Sequence, residues 1–133
     1  ICCLRPGVPG LSDHIRVKSM VGRFLEHARI ICFGNGRALP SMEAKVFLSS
    51  ADWMPRNFFR RVEIVFPIRD PALRRWVTEE FFGDELRDTS NTRLLHPNGA
   101  YSPVPRRGSE RTFSVHAHLM AAATRRSRNV RSP

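Results

Sequence analysis

The sequence is poor in cysteine and in long apolar runs, and it lacks several motifs that would settle its chemistry at once. Among 133 residues there are three cysteines. Cys2 and Cys3 are adjacent and Cys32 stands alone, which excludes a disulfide framework and a C-x-x-C zinc spacing. Free thiols in a reducing cytosol are the expectation. No apolar run approaches the roughly 20 residues of a spanning helix, so no membrane span is expected. The absence of a G-x-x-x-x-G-K-[ST] loop excludes a P-loop mechanism. There is no signal peptide and no internal repeat. The chain opens on Ile1 rather than Met, and a fragment of something longer is expected.

Acidic residues are scarce at one end only. Residues 1–90 hold 14 Lys/Arg against 11 Asp/Glu, whereas residues 91–133 hold 8 against 1. The net charge of +10 is therefore concentrated in a basic tail behind an ordinary globular surface. Such a tail either contacts a polyanion such as nucleic acid or acidic lipid, or is a disordered arginine-rich end. A hydrophobic fraction of 41% is enough for a core, and the length favours one domain on a prior of roughly 100–200 residues each.

Local chemistry then places the elements. Pro6, Gly7, Pro9 and Gly10 punctuate a loop. Ser12 or Asp13 can cap a helix from Ile15, with Val17, Met20, Val21, Phe24 and Leu25 at helical spacing. Ile30 to Phe33 reads as a strand buried on both faces, and Gly34-Asn35-Gly36 as a turn. Lys45 to Leu48 and Arg61 to Phe66 read as further strands, the latter closed by Pro67. Asp70-Pro71 opens a helix that Gly83 can end. Arg93–Leu95 and Tyr101–Val104 flank Pro97-Asn98-Gly99 as a hairpin. Thr112 to Thr124 can form a helix, followed by an unstructured RRSRNVRSP. Strands and helices alternate, so the fold class is α/β. Trp53, Trp76 and the nine phenylalanines are expected mostly in the core.

The residues with chemical promise lie between Val21 and Asn57. His27 and Arg29 stand two apart where the predicted helix gives way to a strand, so they can share a face. An imidazole beside a guanidinium makes a phosphate clamp, because arginine offers a planar fork of donors. The competing reading is that His27 merely caps a helix C-terminus. Ser49, Ser50 and Asp52 end the next strand, where binding groups of α/β folds gather. Their hydroxyls can donate, and the carboxylate can orient a histidine. Trp53, Arg56 and Asn57 extend this rim. Glu63 can join Arg60 and Arg61 in an ion network or make a surface salt bridge. Other strings fail as sites: His116-x-His118 faces opposite ways on a helix with no third ligand, and Ser12-Asp13-His14 lacks a nucleophile elbow.

The strings ICCLRPGVPGLSDHIRVKSMVGRFLEHARI and VFLSSADWMPRNFFRRVEIVFPI closely resemble the C-terminal catalytic domain of bacterial polyphosphate kinase. The likeness is strong from Ile1 to about Ile68, looser to about Arg107, and not evident beyond Gly108. It implies an α/β, phospholipase D-like mixed sheet flanked by helices, within a larger multidomain enzyme. Residues 1–107 would form that domain and residues 108–133 a basic, poorly ordered tail. In this family the GRFLEH histidine assists phosphoryl transfer, and here that residue is His27. His27-x-Arg29 and Ser49-Ser50-x-Asp52 echo the His-x-Lys and Gly-Ser-x-Asn elements of the phospholipase D pattern, with Arg for Lys and Asp for Asn.

The resemblance further implies reversible transfer of the ATP terminal phosphate to inorganic polyphosphate, through a phosphohistidine in another domain absent from this chain. His27 would be catalytic, with His27, Arg29, Ser50, Asp52 and Arg56 binding ATP or phosphate. Mg²⁺ would arrive with ATP, without ligands identified here. ATP/ADP, polyphosphate and the enzyme's remaining domains would be the partners, in a cytoplasmic, membrane-associated or free homo-oligomer. The fragment alone is expected to be inactive. The other readings are a phospholipase D-type phosphodiesterase half-domain and a non-catalytic polyanion-binding module.

Overall fold

The computed structural model describes residues 4–105, 108–109 and 111–130. The expectations for Cys2 and Cys3 lie outside them. The chain divides into two compact units, one of residues 1–25 and 87–133 and the other of residues 26–86. Strands and helices are both present, as expected for α/β, and every strand ladder among the described residues is antiparallel.

In the first unit, β1 (Lys18–Met20), β5 (Thr92–Leu95) and β6 (Tyr101–Pro103) form one sheet in the order β1-β5-β6. The β5–β6 hairpin forms as its sequence predicts: Gly99 takes a φ of +83° and donates to His96 O at 2.9 Å. α4 (Val115–Val130) completes this unit. Its start is fixed by Asp88, whose carboxylate accepts from Val115 N–H at 2.9 Å, from Asn91 N–H at 2.9 Å and from the Thr92 hydroxyl at 3.0 Å.

The predicted helix from Ile15 to Leu25 is absent. Met20 instead pairs with Thr92, and Val21 N–H continues the contact to Asn91 O at 3.0 Å. Pairing with a strand some seventy residues away overrides the helical spacing, helped by β-branched Val17 and Val21 and by Gly22, all weak helix formers. The apolar stripe buries nothing as a stripe, since Val21, Phe24 and Leu25 are exposed. At the other end, α4 runs to Val130 rather than stopping at Thr124. No Gly or Pro interrupts Thr124 to Val130, and arginine is a good helix former. Residues 131–133 lie outside the described part.

In the second unit, β2 (Ile30–Phe33), β3 (Lys45–Ser49) and β4 (Val65–Pro67) pair in the order β2-β3-β4. Gly34-Asn35-Gly36 turns the chain after β2, with positive φ at Asn35 and Gly36 and Arg37 N–H donating to Gly34 O at 3.1 Å. β2 is only half-buried and Phe33 is exposed, not covered on both faces. β4 is shorter than the predicted Arg61–Phe66 and includes Pro67. Upstream of it, the Ser50 hydroxyl takes the place of a ladder carbonyl by accepting from Ile64 N–H at 3.0 Å.

Two helical stretches sit on this unit. α1 (Pro55–Arg60) is short. α2 (Pro71–Arg75) starts as predicted, with Asp70 Oδ1 accepting from Leu73 N–H at 2.8 Å. The helix then widens into a π-helical turn (Trp76–Phe81) and continues as α3 (Phe82–Arg87), so Gly83 does not end it. Thr78 supplies a cause: its hydroxyl donates to the carbonyls of Arg74 and Arg75 at 3.0 and 3.2 Å, competing with the backbone ladder. Ala44, Val46, Ala51 and Val77 form the buried apolar centre. Trp53, Phe58, Phe59 and Trp76 are exposed rather than core, because three strands of four, five and three residues offer too little face to cover them.

Candidate functional site

The second unit gathers the residues singled out from the sequence at the ends of β2 and β3. The antiparallel register runs from Phe33↔Lys45 to Ile30↔Leu48. One step further, Arg29 O accepts from Ser49 N–H at 2.9 Å. Arg29 thus enters the sheet beside the tip of β3, and Asp52 follows just past that tip. Arg29 Nε donates to Asp52 Oδ1 at 2.6 Å, a half-buried, charge-assisted contact. This bond is the main reason the Asp52 carboxyl is held below the usual carboxylate range. Partial burial opposes the shift, while the charges of Arg29, Arg56 and His27 add to it. The same bond pushes Arg29 up.

His27 is exposed, in non-repetitive chain leading into β2. It is neither enclosed by apolar packing nor a helix cap, since no helix precedes it. Arg56, on α1, is also exposed, and its charge reaches the same carboxylate. His27, Arg29 and Arg56 therefore gather around one carboxylate, that of Asp52.

Ser50 stands differently. Its hydroxyl donates to Glu63 Oε2 and accepts from Ile64 N–H, while Ser50 N–H donates to Ile64 O. Its single proton is engaged in stitching the tip of β3 to residues 63–64. Glu63 also accepts from the amide of Asn57 at 2.7 Å. The Ser50 hydroxyl first, then Asn57, hold the Glu63 carboxyl below its ordinary value. Glu63 makes no direct ion pair with Arg60 or Arg61 among the described residues, although the charge of Arg61 adds to the lowering of its carboxyl. Asn57 is 3% exposed, and its part as a buried clamp was not visible from the rim position assigned to it. The signal for Glu63 was a lone carboxylate inside RVEIVF.

The residues excluded from the sequence fall elsewhere. Ser12 donates to Arg5 O and accepts from Val8 N–H, and Asp13 accepts from Gly10 N–H, so each serves the loop. His116 is buried beside Gly22 and Phe24, and His118 lies against Phe113. Cys32 is a free thiol whose pKa burial raises.

Mg²⁺ does not find ligands in this cluster. It needs hard oxygen donors at octahedral positions, and the two carboxylates present are held by Arg29 and by Ser50 and Asn57. No group of three His, Cys, Asp or Glu able to hold a metal occurs among the described residues.

A family model described as Polyphosphate kinase C-terminal domain 2 matches residues 1–115. The chain belongs to the polyphosphate kinase family. Curated polyphosphate kinases of Erythrobacter litoralis and Pseudomonas putida are 45% and 42% identical to it over 120 and 131 residues, or 90% and 98% of this chain. The chain spans only 16% and 17% of those relatives. The crystal structure of polyphosphate kinase from Porphyromonas gingivalis superposes on 97% of this chain and 19% of its own, with a TM-score of 0.80 and 33% identity. The likeness to polyphosphate kinases thus continues past Gly108, where the sequence alone showed none. The relatives supply that reach, because a motif ends where its side chains stop being distinctive and an alignment does not.

Proposed function

We propose that this chain is the part of a polyphosphate kinase that presents His27, Arg29, Asp52 and Arg56 to ATP and to a growing inorganic polyphosphate. The observation that carries this reading is the Arg29–Asp52 pair at 2.6 Å with the charges of His27 and Arg56 converging on it. Phosphoryl transfer proceeds through a loose transition state that needs positioning and charge stabilisation more than covalent chemistry from the protein. Asp52 holds the Arg29 fork in place. Arg29 and Arg56 receive phosphoryl oxygens. His27, exposed and so open to a ligand, donates a proton or a hydrogen bond from its ring to the oxygen between the leaving ADP and the transferring phosphoryl group. Ser50 binds a phosphate only by exchanging Glu63 for it, and its main part is to fix the strand tip that carries Asp52.

The phosphohistidine, its domain and the remaining partners lie in other parts of the enzyme. Phe59 and Val62, 83% and 99% exposed beside the cluster, fit a face that such domains cover. Mg²⁺ enters with the nucleotide, and no step assigned to these side chains runs through it. Action in the cytoplasm, as a homo-oligomer, completes the reading.

The test is to supply the complete enzyme with ATP labelled in its terminal phosphate. A phosphoenzyme that discharges onto polyphosphate is expected. Hydrolysis of a phosphodiester without any phosphoenzyme would instead establish the phospholipase D-type reading.

A further inference from the structure

At the other end of β3 lies a second concentration of positive charge with no acid in it. A groove of about 250 Å³ is lined by Lys45, Arg69 and Arg74, over walls that include Val46, Phe47 and Pro67. The two chain segments that form it are tied together by the Phe47↔Pro67 pair and by Ile68 N–H donating to Val46 O at 2.8 Å. Arg74 reaches it from α2. The nearest carboxylate in sequence, Asp70, caps its own helix at Leu73 and does not line the groove. Among the described residues none of the three cations is in an ion pair. Arg74 Nε is buried without an acceptor, an uncommon state for a charged donor.

We infer that this groove is a binding site for phosphoryl oxyanions, separate from the His27 cluster. Three cations that face a common space repel one another unless an anion joins them. An arginine fork matches phosphate oxygens in pairs, and a phosphoryl group would supply the acceptor that Arg74 Nε lacks. The groove's size, about 250 Å³, accommodates a short run of phosphates. Lys45 and Ser50 are five residues apart along an extended chain, roughly 16 Å at about 3.3 Å per residue, so one phosphate cannot occupy both sites. The choice of an inorganic polyphosphate chain as the natural occupant rests on the function proposed above; the oxyanion site itself does not.

The experiment is titration of the 133-residue chain with pyrophosphate, long-chain polyphosphate and ATP at fixed ionic strength, followed by amide chemical shifts. In the unaltered chain, pyrophosphate should saturate and its largest shifts should fall on residues 45–47 and 67–74. Arg69→Ala/Arg74→Ala should weaken it by about tenfold or more, the scale of losing charge-assisted bonds. Arg5→Ala/Arg16→Ala, with the same change of net charge, should stay within about twofold at these residues. Lys45→Ala/Arg69→Ala, both at exposed positions, gives the same reading with Arg74 left in place should the first pair fail to fold. Equal weakening by the two arginine pairs, or shifts spread over the basic helix instead of the groove, would overturn the site. Tighter binding of ATP than of polyphosphate at these residues would overturn the choice of occupant. In the complete enzyme, His27→Ala abolishing phosphoryl transfer while residues 45–47 and 67–74 still respond to pyrophosphate supports both assignments, and transfer that survives His27→Ala while they respond overturns the proposed function alone.

Discussion

Asp88 shows how a single carboxylate can organise more structure than its charge suggests. It is fully buried, and burial alone would raise its pKa. The N–H groups of Val115 and Asn91 and the hydroxyl of Thr92 outweigh that cost, so the net shift is downward. Asp88→Ala would leave these donors without an acceptor and should destabilise the chain by about 3 kcal/mol, read from denaturant midpoints. The sign of the pH dependence follows from the lowered pKa. The contribution is complete above the ordinary carboxylate range and is lost as pH falls through the depressed folded value. Asp52 and Glu63 are shifted the same way. Denaturant midpoints should therefore hold from neutrality down to about pH 5 and drop in more acid solution, and Asp88→Asn should flatten that drop. A midpoint that rises on acidification would contradict all three assignments.

Between elements, the tightest constraint joins the segment after β1 to α4. A Cβ at Gly22 would stand 2.3 Å from His116 Nδ1, and Phe24 N–H points to the same nitrogen at 3.4 Å. Gly22→Ala should cost about 1–3 kcal/mol by overpacking, and adding His116→Ala should recover part of that loss, a coupling that independent sites would not show. This contact also marks what was legible beforehand. β2, β3, the Asn98-Gly99 hairpin and the Asp70-Pro71 helix start rest on residues adjacent in sequence, and each appears where its own chemistry puts it. The helix expected from Ile15 to Leu25 fails because its true partner, β5, lies far along the chain. In the candidate site, the meeting of Arg29 and Asp52 could be expected, because the two residues flank the paired ends of β2 and β3. The Ser50–Glu63–Asn57 clamp could not, since it depends on which way three side chains turn once β3 and α1 have formed.

At the scale of the whole molecule, the chain carries the cluster proposed to meet ATP and phosphate but spans about a sixth of its relatives. Incubated alone with ATP it should form no polyphosphate, and robust synthesis by the 133 residues would overturn that expectation. Its charge of +10 should give it a salt-sensitive attraction for polyanions whether or not it is catalytic, so retention of polyphosphate by itself does not establish its role. Turnover does. The decisive measurement is the initial rate of ATP-dependent polyphosphate synthesis by the complete enzyme bearing this chain, compared with His27→Ala of equal thermal stability. A fall on the order of 10²–10³, the usual effect of removing one transition-state donor, is predicted. A rate within a few-fold of the unaltered enzyme would contradict the assignment of His27 and, with it, the reading of the cluster as part of an active site.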